Sequence, residues 1–140
     1  MFSHEKIDAY QVGLEFVAWS CQLAKAGKQG SCTAFDDLGS TSHAIPKFIA
    51  LGNREVLLEE RLRFFETTCD KVFESATTID ILYRCGEVSK EQQQVGKKLL
   101  RLLLSMMKQL IKVDCVASSH QAAYRKGHID SKIEVTSYEN

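Results

Sequence analysis

Between Leu58 and Tyr83 the apolar residues Leu58, Leu62, Phe65, Cys69, Val72, Ala76, Ile79 and Tyr83 keep a strict four-three alternation for three and a half heptads. That spacing holds one stripe on one side of an α-helix. A helix from Arg54 to Cys85, at about 1.5 Å per residue, would be about 50 Å long and needs other helices beside it to cover the stripe. Asn53 is placed to cap its start and Gly86 to end it.

Three further helices supply the cover. In the first, about 4–26, Ile7, Tyr10, Leu14, Val17, Cys21 and Ala24 form a continuous stripe read as the core face, with Gly27 and Gly30 ending the helix. The second, about 36–51, starts at Asp36 or Asp37, turns Leu38, Ile45 and Ile49 inward and closes at Gly52-Asn53. Pro46 falls inside it; a proline removes an amide donor and crowds the carbonyl of Ser42, which predicts a kink. The third is the long helix, 54–85. The fourth, about 90–113, opens on Ser89-x-x-Gln92, a capping box. Short connections make neighbours antiparallel, so residues 1–113 read as an all-α, up-down-up-down four-helix bundle. Residues 114–140 are polar, with only a weak alternation at Ile129, Ile133 and Val135, and read as a loosely held tail. One domain is expected, because 140 residues form a single core.

Two helices carry more apolar surface than one core needs. On the fourth, Val95, Leu99, Leu102, Leu103, Met106, Leu110 and Val113 share an arc that Leu100, Leu104, Met107 and Ile111 extend to about 200°. On the first, Val12, Phe16, Trp19 and Leu23 form a second stripe opposite the first. A monomer seldom exposes so large an apolar patch. Val12, Phe16, Trp19, Leu23, Leu104, Met107 and Ile111 are therefore expected to form an interface between copies of the chain, with the aromatic residues as anchors; the alternative is that the first helix sits centrally or that the tail covers it.

Lys and Arg number 18, as do Asp and Glu, so the chain as a whole has no basic field of the kind that marks a nucleic-acid binder. The fourth helix differs: Lys90, Lys97, Lys98, Arg101, Lys108 and Lys112 stand against Glu91 alone. All but Lys98 fall within a wedge of about 60°. Such a row either solvates the surface, pairs with the acidic third helix, or holds a phosphate backbone by counterion release.

The N-terminus has no basic start or apolar run of a secretory signal, and Arg101 and Lys108 interrupt the most apolar stretch. A cytoplasmic protein without a membrane partner is expected. Five cysteines, odd in number and without a C-x-x-C pair, suit reduced thiols rather than disulfides or zinc. No E-x-x-H pair occurs, the four histidines are scattered, and no acid-base, nucleophile or phosphate-loop constellation emerges. The expectation is therefore no enzyme, no catalytic residue, no metal and no cofactor. A cysteine enzyme would need a low thiol pKa at a residue such as Cys32 or Cys115.

Lys6-Ile7-Asp8-Ala9-Tyr10, Leu38-x6-Ile45-Pro46-x2-Ile49-Ala50-x-Gly52, and Phe64-Phe65 followed by Glu74-Ser75-Ala76 together resemble the bacterial four-helix-bundle proteins encoded in intervening sequences of 23S rRNA genes. The similarity covers about residues 5–113. The resemblance implies an up-down bundle assembling into a ring, typically a homopentamer, with no enzymatic activity. It points to a scaffold or adaptor with RNA or a ribonucleoprotein as the candidate partner. A related branch, the accessory variability proteins of diversity-generating retroelements, implies the alternative of a nucleic-acid-binding accessory of a reverse transcriptase. This chain departs from the pattern at Phe48, Leu51, Gly39 and Ser40, where relatives usually carry asparagine, glutamate and basic residues.

Overall fold

A computed structural model describes the backbone of residues 1–27 and 32–138, with side chains as far as residue 119. After a 3-10 turn at Ser3–Lys6 come four helices, α1 (Asp8–Ala26), α2 (Ala34–Arg54), α3 (Leu58–Arg84) and α4 (Lys90–Tyr138), and no strand among the described residues. Each helix packs on its two neighbours in the cyclic order α1, α2, α3, α4, with α2 and α3 the most intimate pair. The result is an all-helical four-helix bundle.

Several ends follow from local chemistry. Ser89 Oγ accepts from the Gln92 amide at 3.1 Å while Gln92 Oε1 accepts from the Ser89 amide at 2.8 Å, the reciprocal box that opens α4. Gly86 has φ of 76°, a conformation in which a side chain would be strained, and ends α3. Other boundaries move. Asn53 does not start α3; it belongs to the last turn of α2, and the link is only residues 55–57. Thr33 precedes α2, leaving Asp36 and Asp37 in its first turn, where they face the positive end of the helix dipole. Helix α2 continues through Pro46. Gly30 lies outside the described residues.

The fourth helix extends beyond its expected end. Helix α4 does not end at 113 but runs to Tyr138 without a break. Asp114 is tied to the bundle through Arg61, whose Nε lies 3.2 Å from Asp114 Oδ2. Arg61 also donates to the carbonyls of Asn53, in the last turn of α2, at 2.9 Å and of Glu55, in the link, at 3.2 Å, and its guanidinium sits 5.4 Å from the Phe65 ring centre. One side chain thus joins the end of α2 and the start of α3 to the middle of α4.

The inward faces also differ from expectation. On α1 the fully or nearly buried residues are Ala9, Val12, Phe16, Ser20 and Leu23, whereas Leu14 is 40% exposed and Cys21 and Ala24 are exposed. The two stripes have exchanged roles. Phe16 stacks on Trp19 with ring centres 5.5 Å apart, and Trp19 lies over Gly96 of α4, where a Cβ would come within 2.8 Å of Trp19 Cζ3 and 2.9 Å of Ile79 Cδ1. The large aromatic side shelters more area against a helix that has a glycine there to receive it, so it wins the interior.

On α3 the buried face is Phe65, Thr68, Val72, Ser75, Thr78, Ile79 and Leu82, and Tyr83 is exposed. Hydroxyls replace part of the apolar stripe against α2. Thr68 Oγ1 donates to Phe64 O at 3.0 Å, Thr78 Oγ1 to Glu74 O at 3.0 Å, and Ser75 Oγ to Thr41 Oγ1 at 3.1 Å. Ser20 and Ser42 hydroxyls meet at 3.0 Å. Among the described residues no buried side-chain polar atom lacks a partner, so these small groups let helices approach closely without a desolvation cost. Leu38, Ile45 and Ile49 of α2 are buried as expected.

Candidate interaction surface on α4

Helix α4 turns Gly96, Leu100, Leu103 and Met107 into the core, with Asp114 continuing the same line to Arg61. At 100° per residue, the remaining surface divides into two adjoining strips. One is apolar: Val95, Leu102, Val113 and Val116 are 45–53% exposed, with Leu99 and Met106 half-buried beside them. The other is cationic.

Four of the seven expected interface residues lie in the core of their own chain. Val12, Phe16, Leu23 and Met107 are buried within their own chain, and Trp19, Leu104 and Ile111 are packed partly buried against the same core. The four buried side chains are not free to anchor a second copy. Both apolar stripes of α1 satisfy helical spacing equally, and only the fit of Phe16 and Trp19 beneath α4 separates them. The apolar surface that stays open on α4 is instead the part of the wide arc read as interior.

Of the six cations, Lys97 is neutralised within the fold. Its Nζ lies 2.9 Å from Asp80 Oδ1 on α3, and Gln93 Nε2 donates to the same oxygen at 2.8 Å. The hydrogen bond from Lys97 holds the Asp80 carboxyl below the usual carboxylate range; slight burial opposes this, and the Gln93 bond and the charge of Lys97 assist it. Lys90, Lys98, Arg101, Lys108 and Lys112 are exposed and form no ion pair among the described residues. Charge pairing with α3 therefore accounts for one lysine, and the remaining row faces outward.

Reactive side chains are dispersed. No three His, Cys, Asp or Glu side chains gather to hold a metal ion among the described residues, and the described cysteines are all free thiols. Cys32 is half-buried and Cys115 exposed. Burial pushes the Cys69 thiol up, with Asp70 and Glu66 adding to the shift and Lys108 opposing it. That is the opposite of an activated nucleophile. No described helix is long and apolar enough to cross a membrane. No family model matches the chain, and no curated protein matches it.

Proposed function

We propose that this chain is a non-catalytic scaffold or adaptor that assembles with copies of itself and offers a cationic helix face to RNA or a ribonucleoprotein. What supports this reading is the pair of strips on α4, where Val95, Leu102, Val113 and Val116 run beside Lys98, Arg101, Lys108 and Lys112. An open apolar strip of this extent favours association. The exposed acids Glu59, Glu66 and Asp70 on α3 complement the cations of α4. A contact of one face with the other repeats head to tail and closes into a ring when its rotation permits. The homopentamer implied by the family resemblance is one such closure. Cations left facing outward would hold phosphates without reading bases, with affinity falling steeply as salt rises.

Native mass spectrometry of the full chain, with and without RNA, tests both halves. Assemblies larger than one chain are expected, and Leu102→Glu with Val113→Glu should reduce them to monomers of unchanged helicity. RNA retention should fall at least about tenfold between roughly 50 and 200 mM salt, and should be lost when Lys98, Arg101, Lys108 and Lys112 become glutamine. A monomer at tens of micromolar that retains no RNA at low salt refutes the reading.

A further inference from the structure

The outer seam between α1 and α2 lies across the bundle from the α3–α4 edge and forms a groove in two joined parts. Tyr10, Leu14 and Val17 of α1 and Pro46 of α2 line one part, of about 310 Å³. Lys47 and Ala50 wall both parts, and the second, of about 610 Å³, continues to Phe2, Leu51 and Arg54. The N-terminal turn that closes this end is pinned: Asn53 Nδ2 donates to Ser3 Oγ at 2.8 Å, and Gln11 Nε2 donates to Glu5 O at 2.9 Å.

Three features define what would fit. The floor is mainly aliphatic, formed by the stripe of α1 that the core leaves out together with Pro46, Ala50 and Leu51. The α2 lip is cationic, with Lys47 and Arg54 exposed and forming no ion pair among the described residues; His43 on the same lip has its Nδ1 at 2.6 Å from Gly39 O. No carboxylate lines either part, and Glu5 of the turn accepts from the Phe2 amide at 2.9 Å.

We propose that this groove docks an amphipathic helix of a partner protein whose apolar stripe is flanked by carboxylates. From His43 to Arg54 the lip spans about 17 Å, which is three turns of a helix laid alongside. Aliphatic anchors at three- and four-residue spacing would enter between Leu14, Val17 and Ala50, and acids on one flank would meet Lys47 and Arg54. The uncompensated cations supply the selectivity, because a basic flank would be repelled. The aromatic rings Phe2, His4 and Tyr10 form one cluster, with His4 5.7 Å from Phe2 and 4.8 Å from Tyr10, and the stretch walled by Leu14, Val17, Pro46 and Ala50 gives nucleobases little to stack on. The groove shares no residue with the α4 surface, so either site can fail alone.

Fluorescence anisotropy on the full chain tests the proposal with two synthetic helical peptides of about five turns. Both carry leucine on one face; one has glutamate along the flank, the other lysine. The glutamate peptide should bind saturably in the micromolar range. Lys47→Glu with Arg54→Glu should weaken it by about tenfold or more and reverse the preference toward the lysine peptide. Leu14→Gln, at a position already exposed, should weaken both without altering the circular dichroism spectrum. Equal affinity of the two peptides, absence of binding, or no reversal in the charge-swapped chain overturns the proposal. So does displacement of the peptide by an oligouridine in a Lys47- and Arg54-dependent manner, which assigns the groove to RNA. Concentration-dependent assembly abolished by Leu14→Gln assigns it to a second copy, and equally overturns it.

Discussion

Arg61→Ala removes the side chain that ties the end of α2 and the start of α3 to the middle of α4. Lost with it are hydrogen bonds to the Asn53 and Glu55 carbonyls, the contact at 3.2 Å with Asp114, and the packing over Phe65. The Arg61 side chain is 21% exposed and that of Asp114 17%, so solvent compensates only partly for the broken pair. A hydrogen bond to a charged group contributes about 1.5–3 kcal/mol, and stranding a partly buried carboxylate adds to the loss. Because these contacts share one guanidinium they do not add, and a destabilisation of about 2–4 kcal/mol is expected. Urea titration followed by circular dichroism, at one fixed protein concentration, measures it. A double-mutant cycle with Asp114→Ala isolates the link to α4 and should yield a coupling of about 1–2 kcal/mol. Additivity within about 0.5 kcal/mol would mean that Asp114 is not docked and that the chain leaves the bundle before residue 114.

Phe16→Ala should cost about 3–5 kcal/mol, whereas Leu14→Gln should stay within about 0.5 kcal/mol; comparable losses would contradict the assignment of the α1 faces. Gly96→Ala should destabilise by about 1–3 kcal/mol in thermal melts, because the added methyl meets Trp19 and Ile79; a neutral result would remove Trp19 from that site. Timed alkylation near neutral pH, read by mass spectrometry of peptides, should label Cys69 later than the exposed Cys21, Cys85 and Cys115. Asp80 has a lowered pKa in the fold, so its pairing stabilises above the unfolded value and is lost as pH falls through the folded value. Lys97→Met should therefore cost less than about 1 kcal/mol at pH 7, given an Asp80 side chain 49% exposed, and the difference should vanish in acid.

The α4 cations show how far a site can be read before folding. Their wedge is a matter of angle along one helix, and it is present. That Lys97 alone is neutralised depends on Asp80 and Gln93 converging on it, a meeting across the α3–α4 edge that helical spacing does not contain. The apolar strip beside the cations was hidden differently: an arc of about 200° names many candidates for burial but not which end turns inward. The α1–α2 groove is not legible from spacing alone, because its α1 wall reads as a core stripe.

What the chain determined by itself was local. Four helical periodicities, the Ser89 and Gln92 box and the left-handed Gly86 need only hydrogen bonds and side chains within a few turns of one another. Tertiary packing decided the direction of each face. Periodicity places a stripe on a cylinder without saying what lies opposite, and on α1 two stripes were equally regular. The choice fell to Phe16 and Trp19 because Gly96 leaves room for a ring. On α3, burial passed to Thr68, Ser75 and Thr78 because short hydroxyls that bond to backbone carbonyls or to Thr41 can lie against α2. The continuation of α4 past residue 113 coincides with the anchoring of Asp114 by Arg61, fifty-three positions earlier. Residues that far apart in the chain become partners only when α3 and α4 lie side by side.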